Sequence, residues 1–122
     1  MQFGEIPDFL RALRDRVAGW LEVEPRAFVH ALVNEFRPGV QLGWHRDSPE
    51  YGIVAGVSLG GSVVMRLRPY SKSASAREIL KLDLEPRSAY VMRDDARWGW
   101  QHSIAPAPEL RYSVTFRTPR AG

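Results

Sequence analysis

Hydrophobic and polar positions follow two rhythms along the chain, and the change falls near Pro25. From Pro7 to Leu21 (PDFLRALRDRVAGWL), Phe9, Leu10, Leu13, Val17, Trp20 and Leu21 recur at helical spacing and predict one apolar helix face. Pro7 and Asp8 suit a helix start, and Gly19 weakens the last turn. Such a face is a packing surface for a sheet. Beyond Pro25 the period shortens to two, broken by short apolar runs, and predicts strands over Ala27–Phe36, Val40–His45, Ile53–Leu59, Ser62–Leu67, Ile79–Leu84, Ala89–Met92, Trp100–Ile104 and Tyr112–Arg117. Turn residues separate them at Arg37-Pro38-Gly39, Gly60-Gly61, Ser71–Ala76, Glu85-Pro86 and Pro106–Pro108. The composition of Ser71–Ala76 (SKSASA) predicts a mobile loop.

About eight short strands after one helix predict a mainly β protein built from two facing sheets, a sandwich or a jelly roll. Periodicity does not choose between them. The length of 122 residues suits a single domain, with a helical N-terminal segment over 1–26 and the β core over 27–117.

Composition narrows the chemistry. The chain has no cysteine, which excludes disulfides, thiolate catalysis and cysteine-ligated zinc. Its four tryptophans and 44% hydrophobic content argue against disorder. The N-terminus lacks the basic and apolar regions of a secretory signal, and no apolar run reaches membrane-spanning length, so a soluble, cytoplasmic protein with no membrane partner is expected. Seventeen Lys and Arg against fourteen Asp and Glu give a net charge of +3, compatible with a polyanionic partner or with ordinary solubilising surface charge.

Candidate chemistry begins at His45-Arg46-Asp47. Residues two apart in a strand point to one side, so His45 and Asp47 can present an imidazole and a carboxylate to one point. Two histidines and a carboxylate on one face of a metal leave positions free for further ligands, as in non-haem Fe(II) oxygenases. His30 and His102 are the remaining histidines. His30 lies between Phe28 and Leu32 in a predicted strand and reads as structural, and His-x-Asp alone also fits a polar surface turn.

The segment Leu110–Arg117 (LRYSVTFR) alternates throughout, with Arg111, Ser113, Thr115 and Arg117 on one side and Tyr112, Val114 and Phe116 on the other. The apolar side can pack in a sheet layer while the polar side lines a cavity, where two guanidinium forks suit a small dicarboxylate. With the candidate ligands, this pattern favours Fe(II) with 2-oxoglutarate as cosubstrate.

From Asn34 to Arg117, about two thirds of the chain, the sequence resembles the AlkB-type Fe(II)/2-oxoglutarate dioxygenases. The resemblance rests on N-x-[YF]-x-x-G at Asn34–Gly39, H-x-D at His45–Asp47, V-S-L-G at Val57–Gly60, W-x-H at Trp100–His102 and R-Y-S-V-T-F-R at Arg111–Arg117. It implies a double-stranded β-helix, with His45, Asp47 and His102 as iron ligands and O2 as the second cosubstrate. Arg111 would pair with the distal carboxylate of 2-oxoglutarate, Arg117 would lie near its metal end, and Asn34 would hydrogen-bond it. Ser113 shares their polar face. The chain departs from the family in having Phe36 where a tyrosine hydroxyl often helps hold the cosubstrate. It also has Ser48-Pro49-Glu50 where many nucleic-acid-repairing members continue with acidic residues.

Only 33 residues precede Asn34, so the expected unit is a catalytic core with little of the N-terminal lid of the nucleic-acid-directed members, and a partner protein could supply one. Trp44, Trp98 and Glu50 are the candidates for a substrate pocket, and Trp100 for the core. Arg66, Arg68, Lys72, Arg77 and Lys81 flank the SKSASA loop and suit either phosphate contacts or strand-edge charges. The leading expectation is oxidative demethylation of alkylated DNA or RNA, of the repair type. The same chemistry on a protein side chain or small molecule is the alternative. A non-catalytic cupin-type barrel is a third, but it leaves Arg111 and Arg117 without a joint use.

Overall fold

In the computed structural model, which describes residues 1–71 and 78–121, the N-terminal periodicity becomes helix α1 over Asp8–Leu21. Leu10, Val17, Ala18 and Leu21 are buried along it, whereas Phe9 and Trp20 are 71% and 53% exposed. The buried stripe is therefore narrower than the expected apolar face. Phe9 and Trp20 each precede a buried leucine by one residue, which turns them onto its flank. Past the end of α1, Glu22 adopts the left-handed conformation (φ 58°) and Val23 N–H donates to Ala18 O at 3.0 Å, a Schellman-type closure.

Among the described residues nine strands follow the order β1 (Gln2–Phe3), β2 (His30–Phe36), β3 (Leu42–His45), β4 (Tyr51–Gly60), β5 (Val63–Pro69), β6 (Leu80–Leu84), β7 (Ser88–Met92), β8 (Trp100–Ile104) and β9 (Arg111–Pro119). They form two antiparallel sheets, ordered β1-β2-β9-β4-β7 and β3-β8-β5-β6. This is the jelly roll expected from sequence. Most strand boundaries shift by one to three residues, and two short elements are additional. Ala27 is not in a strand, because Pro25–Ala27 form a 3-10 turn closed by Phe28 N–H to Pro25 O at 3.2 Å. Val40 belongs to the tight turn Arg37–Val40, with Pro38 second and Gly39 (φ 86°) third, the preferred residues of a type II turn. The two-residue β1 and the five-residue helix α2 (Asp94–Trp98) are too short to show periodicity. Of the SKSASA loop only Ser71 lies within the described residues.

The largest apolar cluster lies between α1 and one face of the five-stranded sheet, joining Leu10, Val17 and Leu21 to Ala31, Val57, Val114 and Phe116. A smaller one, with Val63, Met65, Leu84, Ile104 and Ala107, lies on the four-stranded side. Strand β9 is buried on both faces and sorts its side chains by the alternation read from sequence. Val114 and Phe116 join the cluster beneath α1, and Arg111, Ser113, Thr115 and Arg117 line a cavity. Tyr112 is the exception on the apolar face, 39% exposed beside Glu35, its partner across β2. Among the described residues no helix is long and apolar enough to cross a membrane.

Candidate metal and dicarboxylate site

Strands β3 and β8 make His45 and His102 direct cross-strand partners, with ring centroids 4.2 Å apart. Asp47 follows just beyond the end of β3. Its Oδ1 is 3.8 Å from His45 Nε2 and 3.6 Å from His102 Nε2. One donor atom from each of the three residues lies within 4.8 Å of the others, so the group can hold a metal ion. Such spacings exceed hydrogen-bond length and approach the edge of a coordination shell with bonds of about 2.0–2.2 Å.

Neighbours prepare each group. His45 Nδ1 is 2.8 Å from Gly43 O, so the proton belongs on Nδ1 and the Nε2 lone pair faces Asp47. Burial, and then the adjacent His45, push the His102 pKa down to about 4, which leaves its imidazole neutral at physiological pH. The second carboxylate oxygen of Asp47 accepts a 2.8 Å bond from Arg117 Nε. Arg117 Nη1 lies 3.3 Å from His30 Nδ1, and the His30 ring stacks near Tyr51 with centroids 5.0 Å apart. His30 thus has a structural role behind Arg117. Arg117 is committed to Asp47 and His30, so it orients the candidate ligand and is not a free second fork.

Arg111 is different. It is 1% exposed, donates from Nε to Ser58 Oγ at 2.8 Å, and stacks its guanidinium 5.0 Å from the Phe36 ring centre. Among the described residues its Nη2 has no partner. A buried donor left unsatisfied costs about 1–3 kcal/mol, more for a charged group, unless a ligand meets it. The cavity beside it measures about 210 Å³, room for on the order of seven waters or one small dicarboxylate. Asn34, Phe36, Ser113 and Thr115 line it together with the three candidate ligands.

Trp44, Trp98 and Glu50 do not line this cavity. Trp44 packs under Arg66 and Arg68, 5.4 and 4.3 Å from their guanidinium carbons. Trp98 lies between Arg97 and Arg120, and Glu50 is exposed. Trp100 is only partly buried, its Nε1 donating to Asp95 Oδ2 at 3.1 Å, so it is not the expected core residue. Lys72 and Arg77 lie outside the described residues.

Sequence reading missed Arg97, which is 3% exposed. It donates to the carbonyls of Gly52 (2.9 Å), Ser48 (2.8 Å), Tyr51 (2.8 Å) and Asp47 (3.4 Å), tying down the loop that carries Asp47. Ser58 and Tyr90 were missed as well. Ser58 stands in the V-S-L-G segment, on the cavity side by strand alternation, and that parity is the signal that could have found it.

Comparison with known proteins agrees with this geometry. The sequence profile of the 2OG-Fe(II) oxygenase superfamily matches residues 1–117. Uncharacterized protein L905 of Acanthamoeba polyphaga mimivirus is 35% identical over 99 residues, covering 70% of this chain and 46% of that protein. The structure of OsALKBH1 is similar with a TM-score of 0.71 at 18% identity, over 93% of this chain and 64% of that one. The chain therefore spans less than half of the viral relative and under two thirds of the structural one.

Proposed function

This chain belongs to the 2OG-Fe(II) oxygenase superfamily, and from that premise we propose that it is a 2-oxoglutarate-dependent dioxygenase that hydroxylates N-alkyl groups of alkylated nucleic acid. The observation that carries the reading is the unpartnered Arg111 Nη2, buried in the cavity that also presents His45, Asp47 and His102. The donor set fits Fe(II): two imidazoles and one carboxylate, with no thiolate. Fe(II) bound by these three residues, with 2-oxoglutarate, supplies an oxidation in which one atom of O2 enters succinate, CO2 leaves, and the other atom enters a substrate C–H bond. Hydroxylation of an N-methyl carbon gives a hemiaminal, which releases formaldehyde and the free N–H.

The chain's own residues bind and orient. Arg111 would hold the far carboxylate of the cosubstrate, and Asn34 and Ser113 would supply polar contacts from the cavity wall. Arg117 holds Asp47 aimed through its Nε bond to Oδ2, while Arg97 fixes the loop behind it. Nucleic acid as substrate is supported by a cationic and aromatic surface that begins at the residues flanking His45. Arg46 stacks on Tyr70 at 3.7 Å, and Arg66 and Arg68 stack on Trp44. A protein side chain or small molecule is the second reading. It is favoured by the position of Trp44 and Trp98, the residues expected to stack on a base, outside the described cavity lining.

The test is succinate formation from 2-oxoglutarate with and without Fe(II), followed by formaldehyde release on N-methylated oligonucleotides, methylated peptides and small amines. Fe(II)-dependent succinate is expected, with formaldehyde from oligonucleotides. No succinate under any condition rejects the dioxygenase; formaldehyde from peptides or amines alone moves the substrate to the second reading.

A further inference from the structure

Helix α1 buries its stripe against β2, β9 and β4, and of β7, the edge strand of the five-stranded sheet, only Val91 packs at the margin of that cluster. Strand alternation turns Ala89 and Val91 to the helix side, whereas Tyr90, laid over Gly56, and Met92 line the cavity. Ala89 is exposed, and its small methyl leaves a groove of about 360 Å³ between the sheet edge and the helix. Leu13 and Trp20 wall this groove on the helix side, and Val57, Leu59 and Ala89 on the sheet side. Trp20, 53% exposed on the flank of the buried stripe, thus presents its ring to an open apolar channel.

Arg16 and Arg87 also border the groove, both exposed, and among the described residues neither makes an ion pair. Arg87 is set there by a tight turn, with φ 66° and its N–H donating to Ser58 O at 2.7 Å. That backbone conformation suits glycine better than arginine, so the turn itself does not call for the guanidinium. The strand between groove and solvent reads SAYVM, without charge or proline, and among the described residues it pairs with β4 alone. An edge of this kind is open to a further strand, whereas β6, an edge of the other sheet, carries Lys81 and Asp83. A second copy pairing along β7 would offer this groove only Ala89 and Val91, with no carboxylate from the strand to meet Arg16 or Arg87. The charge and shape of the groove therefore call for a different sequence.

We propose that the edge of β7 is a docking site for a partner protein, which adds an extended acidic and apolar segment to the sheet as a further strand. The segment lays a large apolar side chain in the groove against Trp20 and a carboxylate beside Arg16 and Arg87. Main-chain pairing supplies affinity, and the groove with its two arginines supplies selectivity. Arg16 and Arg87 lie outside the cavity lining, so the interface recruits a partner and is not a lid over the metal site. It stands independently of the dioxygenase reading.

The probe is a library of displayed random peptides, each about nine residues long, selected on the full chain. Peptides with a carboxylate beside a large apolar side chain should be enriched, and a synthetic copy of one should bind saturably in calorimetry. Its binding should slow amide hydrogen exchange across Ser88–Met92, as pairing along β7 requires. Arg16→Glu with Arg87→Glu should weaken it roughly tenfold or more while the melting temperature stays unchanged. Ala89→Arg, which fills the groove, should weaken it as well. A library without enrichment, peptides that bind wild type and the double variant equally, or binding that leaves β7 unprotected overturns the proposal. Dimerisation of the chain through a protected β7 overturns it in favour of a second copy, and displacement of the peptide by an oligonucleotide overturns it in favour of nucleic acid.

Discussion

At the scale of single residues, two of the three candidate ligands have their second polar atom occupied. His45 Nδ1 meets Gly43 O and Asp47 Oδ2 meets Arg117, so the remaining atoms face one another and have nowhere else to turn. His45→Ala should therefore abolish stoichiometric divalent metal binding with little loss of stability, since its ring is a third exposed at 33%. Metal analysis of the purified variant checks this, and unchanged content would remove His45 from the site. Arg111 presents the opposite balance: a charge buried for a ligand is a burden to the empty protein. Arg111→Met should melt no lower than wild type in the absence of cosubstrate, yet bind 2-oxoglutarate roughly ten- to a hundredfold more weakly. Arg111→Lys, which keeps the charge but not the fork, should fall between wild type and Arg111→Ala. A variant that loses affinity and stability in parallel would make Arg111 a structural residue. These residues were legible in the sequence because strand alternation fixes which side chains share a face. Tyr90 was not legible, because its place depends on which strand pairs beside β4 and on a glycine there, and neither leaves a periodic trace.

At the scale of elements, β9 shows how one strand serves two purposes. Its apolar residues complete the cluster beneath α1 and its polar ones complete the cavity, so the alternation in LRYSVTFR carries both fold and site. Helix α2 shows the limit of such reading. Five residues cannot display a helical period, and nothing in RDDARWG marks Arg97 as buried. Its function follows from tertiary contact, where one guanidinium holds the carbonyls of the segment Asp47–Gly52. Arg97→Leu should leave those carbonyls unpaired and destabilise the protein by about 2–4 kcal/mol. Metal affinity should fall about ten- to a hundredfold, although Arg97 touches no ligand side chain. Arg97→Lys should restore little, because an ammonium cannot span acceptors that the planar fork reaches. Urea unfolding paired with metal titration checks both effects; a stability loss without a metal defect would confine Arg97 to holding the fold.

At the scale of the whole molecule, the choice of substrate turns on where charge sits and not on how much there is. A net charge of +3 is modest, but Arg46, Arg66 and Arg68 lie over aromatic rings along the four-stranded sheet and its end, with guanidinium carbons 3.7, 5.4 and 4.3 Å from the ring centres. Arg66 and Arg68 occupy alternate positions of β5 and so emerge on one face, anchored by Ser103 and Gln101 at 3.2 and 2.9 Å. Rigid cations of this kind suit phosphates spaced along a strand, whereas a small metabolite would need only the cavity. Affinity for a single-stranded oligonucleotide should therefore fall with salt, each neutralised phosphate adding about 0.7 to the log–log slope. Arg66→Gln with Arg68→Gln should flatten that slope by about 0.7 for each phosphate the two arginines neutralise, and leave 2-oxoglutarate affinity untouched. Fluorescence anisotropy across a salt series measures it directly. An unaltered slope would mean that these arginines only cover the sheet, and the argument for nucleic acid would then have to rest on turnover alone.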